Sequence, residues 1–173
     1  DYISVMKQDS ANKYFFDAIL NVHRCNYGVA QENIRNAREL LSGEITALIN
    51  ESYSRAYDVV VRIQMLSDLE EIIEFKGLDD NNPRKSLLKS AWDKRLFHCQ
   101  GNVDIWQGLL NIRSLVIKPE QDLVARIKFA TLGRKSGRNA LAEKTLSSLK
   151  SKVIQLKTVP GNSTEGGAFS NTA

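Results

Sequence analysis

Apolar residues recur at steps of three and four almost without interruption from Phe15 to Leu156. That spacing lines one face of an α-helix, whereas a half-buried strand needs strict alternation, so the chain is expected to be all-α. A first helix is predicted from Asn12 to Asn26, with Phe15, Phe16, Ile19, Leu20 and Val22 as its stripe and Ala18 as a small site. The pattern breaks at Asn26-Tyr27-Gly28. Ala30, Ile34, Ala37 and Leu41 then predict a second helix that runs on through Ile45, Leu48 and Ile49, until Asn50-Glu51-Ser52 offers cap-type residues for a third. The third carries Tyr53, Ala56, Tyr57, Val60, Ile63, Leu66, Leu69, Ile73 and Phe75. Its acids Asp68, Glu70, Glu71 and Glu74 are expected to face water or a neighbouring module.

The stretch Gly77-Leu78-Asp79-Asp80-Asn81-Asn82-Pro83 is the clearest internal loop. Beyond it Leu88, Trp92 and Leu96 predict a fourth helix, and Val103, Trp106, Leu110 and Arg113 a fifth. A sixth is predicted from about Pro119, whose missing N–H suits a first helical position, with Leu123, Ile127, Ala130 and Leu132 as inward positions. After the Gly137 turn a seventh carries Leu141, Leu146, Leu149, Val153 and Leu156. Residues 158–173 are too polar and Gly-rich to hold a fold and are expected to be a disordered tail, leaving 1–157 as one helical segment.

The helices repeat a packing template. Ala18, Ala30, Ile34 and Ala37 are spaced by 12, 4 and 3, and so are Ala130, Ala142, Leu146 and Leu149. Small residues at the first two positions let antiparallel helices approach closely, and the other two lie on the face that meets the next pair. This predicts a tetratricopeptide-like α-solenoid of antiparallel helical hairpins, with a closed bundle as the alternative. Such an array exposes a long surface, so binding rather than chemistry is expected of it.

Charge is divided along the chain. Residues 1–83 carry 8 Lys/Arg against 14 Asp/Glu, and residues 84–173 carry 16 against 6, for a net charge of +4. Such a split marks either an anion-binding surface or two faces that meet complementary neighbours. No apolar run reaches the length of a transmembrane helix, and the N-terminus has neither an initiator Met nor a signal pattern, so the chain reads as a soluble piece of a longer one. Two cysteines are too few for a disulfide scaffold and favour a reducing, intracellular and cytoplasmic setting.

Few residues suggest chemistry. His23, Cys25, His98 and Cys99 are the right types for zinc, but residues one or two apart on a helix point to different sides. They are expected to be partly buried core residues. Gly133-Arg134-Lys135-Ser136 resembles the end of a phosphate-binding loop only superficially, because the segment before it is helical. Neither a glycine-rich loop nor a His-Arg-Asp or Asp-Phe-Gly triplet occurs, so no kinase active site and no other catalytic residue is expected within the segment. Lys128, Arg134, Lys135, Arg138 and Lys144 are concentrated around the last turn. They read either as a solvated face or as a polyanion site, and the lack of interleaved aromatics argues against direct nucleic-acid binding.

Four stretches carry a family resemblance: Glu51-Ser52-Tyr53-Ser54-Arg55-Ala56-Tyr57, Met65-Leu66-Ser67-Asp68-Leu69-Glu70-Glu71, Ile112-Arg113-Ser114-Leu115-Val116, and Lys135-Ser136-Gly137-Arg138 with Ala140-Leu141-Ala142. From about Phe15 to Leu149 the chain resembles the FAT region of the target-of-rapamycin (TOR) serine/threonine kinases, within the phosphatidylinositol-3-kinase-related family, and a fungal source is expected. The resemblance implies a helical clamp around a kinase domain that itself uses ATP and magnesium. It also implies contacts with that kinase domain, with neighbouring repeats and with TOR complex subunits, in a dimeric parent that acts in nutrient and growth signalling. Attachment of the parent to vacuolar, lysosomal or plasma membranes would be peripheral. The family's association with inositol hexakisphosphate would suit the cluster from Lys128 to Lys144. The 77–83 loop and the tail after Lys157 do not match the family pattern and are expected to be lineage-specific.

Overall fold

The computed structural model describes residues 10–158, with the side chains of residues 10–150. These residues form α1 Ala11–His23, α2 Tyr27–Leu48, α3 Tyr53–Gly77, α4 Pro83–His98, α5 Val103–Arg113, α6 Leu123–Lys135 and α7 Asn139–Thr158. Among the described residues there is no strand. Thr158 ends α7, and the rest of the expected tail lies outside the described residues.

Side-chain caps set three of the helix starts. The Ser10 hydroxyl accepts from the Lys13 N–H at 3.2 Å, Asn82 from Arg84 at 2.9 Å, and Asn102 from Asp104 at 2.8 Å. Each side-chain oxygen thus satisfies an N–H that has no partner within the helix. Pro83 is the first residue of α4 and Gly77 the last of α3, so the connection expected at 77–83 shrinks to five residues. Pro119 starts not an α-helix but a three-residue 3-10 turn, Pro119–Gln121. The break falls at Asp122, and α6 begins only at Leu123.

That later start changes the face of α6. Ala125, Phe129, Ala130 and Gly133 point inward, while Leu123 and Ile127 are exposed, contrary to the stripe read from the sequence. The small residues decide the phase: a Cβ placed on Gly133 would lie 3.7 Å from the Ala142 Cβ, so Ala130 and Gly133 must face α7 if the helices are to meet so closely. Leu146, expected inward, is 47% exposed, whereas its counterpart Ile34 is fully buried. Helix α3 packs on α2 and covers Ile34, but among the described residues no helix follows α7 to cover Leu146. Phe16, Tyr53 and Val60 are likewise exposed.

The repeat extends into the turns. Cys25 and Gly137 occupy matching places and both adopt left-handed backbone, at φ 62° and 75°. Around them, Cys25 N–H donates to Val22 and Asn26 to Asn21, as Gly137 does to Arg134 and Arg138 to Gly133. Both are Schellman caps, which glycine suits and other residues adopt at a cost. The sequence pattern places the break at Asn26-Tyr27-Gly28, but Tyr27 and Gly28 already lie inside α2.

At the centre of the array stands α3, which packs against α1, α2, α4 and α5. It therefore buries residues around much of its circumference, adding Val59, Val61, Met65 and Ile72 to the stripe read from the sequence. Trp92 of α4 packs on Phe75 of α3 with ring centroids 5.5 Å apart, and Trp106 of α5 on Phe97 of α4 at 6.1 Å. The outer hairpins are thus closed by alanine and glycine, and the middle of the array is held apart by aromatic rings.

Replacing Ala142 by Phe overpacks the α6–α7 contact and is expected to cost about 1–3 kcal/mol, read as a fall in Tm, whereas Leu146→Ala should change stability by less than about 0.5 kcal/mol. At the first turn Cys25→Gly is expected to stabilise by about 0.5–1 kcal/mol, because the left-handed backbone then carries no Cβ and the thiol is exposed, its interaction with the Tyr27 hydroxyl being at the surface. A Tm that fails to rise would show that the turn holds no strain.

Candidate functional site

All five basic residues expected to form an anion site lie on α6, α7 or the turn between them, but their side chains take different directions. Lys128 places its Nζ 4.0 Å from the centre of the Phe97 ring on α4. Arg138 donates to both carboxylate oxygens of Asp104 on α5, at 2.5 and 2.9 Å, and its guanidinium holds that carboxyl below the usual carboxylate range. Arg134 and Lys135 are exposed in the last turn of α6, where a cation complements the negative end of the helix. Lys144 lines a cleft of about 230 Å³ between α5, α6 and α7, together with Gln107, Asn111, Arg126 and Thr145 and with no carboxylate.

Arg126 was missed in the sequence. It is half-buried, and its Nε lacks a hydrogen-bond partner among the described residues. The signal for it was positional: three and four residues before Phe129 and Ala130, it falls on the edge of α6 that faces α7, but only once those residues are known to point inward.

Of the four α3 acids expected to face water or a neighbouring module, Glu70 and Glu74 are exposed, whereas Asp68 is buried and Glu71 half-buried. Each one meets a base from within the chain. Glu70 accepts from both ends of the Arg38 guanidinium of α2 at 2.8 and 2.9 Å, and Glu74 from Arg84 of α4 at 2.8 Å. Glu71 accepts from Arg95 at 2.5 and 2.8 Å and from the Trp92 indole N–H at 2.6 Å. Asp68, only 1% exposed, accepts from Arg95 and from Gln64, while its Oδ2 has no hydrogen-bond partner among the described residues. Burial raises the Asp68 pKa, against the opposing pull of the Gln64 hydrogen bond and of Arg95 and Arg113.

Arg113 of α5 completes this network. It is as buried as Asp68, donates to the Trp92 carbonyl, and lies 3.4 Å from Asp93. Burial lowers its pKa, and Asp68, Asp122 and Asp93 oppose that shift. The sequence placed Arg113 among core positions without a reason for the charge; the reason is that α3, α4 and the break at Asp122 present carboxylates and a carbonyl to it.

His23, Cys25 and His98 are exposed, contrary to the expectation of partly buried core residues, because each sits at a helix end or in a turn. Only Cys99 is half-buried, and burial pushes its thiol pKa up. Among the described residues no group of three or more His, Cys, Asp or Glu could hold a metal ion. Gly133-Arg134-Lys135-Ser136 occupies the C-terminal end of α6, whereas a phosphate loop needs a helix start. No helix of the described residues is long and apolar enough to cross a membrane.

Removing Arg95 strands two carboxylates, so Arg95→Met is expected to cost about 2–4 kcal/mol, the lower part of the range for a broken buried pair, because Arg95 keeps some contact with water. The pKa of Asp68 is raised by folding, so its contribution to stability is fully present below the pKa of an unfolded Asp, about 3.9, and is lost as pH rises through the folded value. The Tm of the parent chain minus that of Asp68→Asn should therefore fall as pH rises from about 4 toward neutrality. A difference that grows over that range would mean that the partners outweigh burial.

The protein-family model described as "FAT domain" matches residues 1–162. Over 148 residues, 86% of this chain, it is 54% identical to the serine/threonine-protein kinase TOR2 of Saccharomyces cerevisiae. It is 44% identical over 144 residues, 81% of the chain, to the serine/threonine-protein kinase TOR of Arabidopsis thaliana, and 41% over 149 residues, 86% of the chain, to tor1 of Schizosaccharomyces pombe. The chain spans about 6% of the length of each of these curated relatives. The family match across nearly the whole chain, its all-helical hairpins and its likeness to one region of the TOR kinases together identify it as a member of the FAT domain family, a FAT-region segment of the TOR type.

Proposed function

We propose that this segment is a non-catalytic scaffold, part of a helical clamp that supports the kinase domain of a TOR-type serine/threonine protein kinase and the assembly of its complex. The observation that carries this reading is the way α3 fastens its neighbours, with apolar packing on several sides and charged pairs to α2 and α4. A body tied together in this way transmits position from one hairpin to the next, which a support for another domain requires. Its partners are then the kinase domain and adjoining repeats of the same chain and the subunits of a TOR complex, in a dimeric parent. ATP and magnesium belong to the kinase domain of that parent, which would act in the cytoplasm and peripherally at membranes.

A second reading, a site for inositol hexakisphosphate, is favoured by one observation. Arg134 and Lys135 form no ion pair among the described residues, and Lys144 shares with Arg126 a cleft that no carboxylate lines. The site would draw on Lys128, Arg134, Lys135, Arg138 and Lys144, with Arg126 added, and would need Arg138 to leave Asp104.

In the full-length kinase, Arg95→Met is expected to lower phosphorylation of a peptide substrate and retention of co-purifying subunits. A coupling of about 0.5–2 kcal/mol corresponds to a fall of about 2- to 30-fold. Unchanged activity and assembly, with the segment measurably destabilised, would refute the scaffold. The second reading is checked by calorimetric titration with inositol hexakisphosphate: binding near one-to-one should survive about 0.15 M salt and disappear in Lys135→Glu/Lys144→Glu, since diffuse attraction is largely screened there.

A further inference from the structure

A second basic cleft lies away from the α6–α7 end. It has a volume of about 530 Å³ and opens between the α3–α4 connection, the first turns of α4 and the turn that leads from α5 into the 3-10 turn. Phe75, Lys85, Lys89, Lys118, Asp80 and Gln121 line it. Lys85 and Lys89 both lean over the Phe75 ring, with their Nζ atoms 4.9 and 5.6 Å from its centre. Lys85 is paired with Asp80 at 2.8 Å, whereas Lys89 and Lys118 form no ion pair among the described residues.

The charges do not balance. One carboxylate faces three ammonium groups, and the N-terminus of the sixteen-residue helix α4, with Asn82 and Pro83 in the cleft wall, adds a further positive end. The Asp80 side chain is fully exposed, so it lies at the solvent side of the cleft. A cleft of this volume is within the range that encloses a small ligand, and lysines bind phosphate as point charges. The volume and the surplus of positive charge suit a phosphate-bearing ligand.

We propose that this cleft binds a phosphate-bearing small molecule, whose phosphate displaces Asp80 from Lys85 and bridges Lys85, Lys89 and Lys118. This site is separate from the basic stretch at the α6–α7 turn and stands or falls independently of it. Inorganic pyrophosphate is the simplest probe.

The test is lysine acylation read residue by residue by mass spectrometry on the full-length chain, with and without pyrophosphate, at about 0.15 M salt, where diffuse attraction is screened. At about ten times the Kd of the probe, acylation of Lys89 and Lys118 should slow by about tenfold, because only the unoccupied fraction reacts. Lys94 and Lys150, which do not line the cleft, should be unaffected. In Asp80→Asn half-protection should come at a lower pyrophosphate concentration, and in Lys118→Glu the protection of Lys89 should vanish. A second arm replaces the probe with phosphatidylcholine vesicles with and without a phosphoinositide. Protection by pyrophosphate alone supports a soluble ligand, and protection by the phosphoinositide vesicles alone supports a lipid headgroup of the same chemistry. Unchanged rates at Lys89 and Lys118 in both arms, or equal slowing at Lys94 and Lys150, would overturn the site. Slowing at Lys135 and Lys144 alone would overturn it too while favouring the other basic region.

Discussion

The array depends on the burial of Asp68. A carboxylate taken out of water must be met by cations and donors, and the groups that meet it come from separate helices: Gln64 from α3 itself and Arg95 from α4, with Arg113 from α5 contributing to the field around it. Satisfying one buried charge therefore fixes the relative placement of three helices. Arg95 reaches Glu71 as well, and Glu71 also takes the Trp92 indole N–H, so the largest buried ring of α4 is orientated by the same acids. Arg113 closes the arrangement by donating to the Trp92 carbonyl. Buried charge adds little net stability compared with apolar packing, but it permits few alternative registers, and a segment that must present a defined surface benefits from that restriction.

On either side of this charged centre the packing follows a different rule. The hairpins α1–α2 and α6–α7 close on Ala18, Ala30, Ala130, Ala142 and Gly133, where the absence of large side chains brings backbones together. Between α3 and α4 it is Phe75 and Trp92 that fill the space, and between α4 and α5 Phe97 and Trp106. The alternation of narrow and wide contacts sets how each hairpin is offset from the next. Trp106 contributes bulk at the expense of an indole N–H that finds no partner among the described residues.

The division of charge along the chain acquires a structural meaning from these contacts. Part of it is internal: the acids of α3 are the counter-charges for Arg84 and Arg95 in the basic half, and also for Arg38 in the acidic half. What remains at the surface is a positive excess in two separate places, the cleft beside Phe75 and the region around the α6–α7 turn. In this FAT segment of the TOR type, both places lie apart from the charged network around Asp68.

The helices, their approximate limits and the repeat of small residues were readable in the residues alone, because three- and four-residue spacing, cap residues and alanine positions act over a few turns of one chain. The hairpin template held even at the turns, although Cys25 hides there a conformation that glycine would have advertised. Residues whose surroundings come from distant helices were not readable in this way. Leu123, Ile127 and Leu146 fit a helical stripe, yet lie outward because Ala130 and Gly133 set the phase of α6 and no described helix covers α7. The acids of α3 look like a solvated face until Arg38, Arg84 and Arg95 arrive from 10 to 32 residues away. The five bases around the last turn share a neighbourhood in sequence but not a direction, since Asp104 and Phe97 draw two of them aside. Local periodicity and steric size are properties of neighbouring residues and are written along the chain; the partner of a charge is chosen by which helices come to lie beside it, and only packing in three dimensions makes that choice.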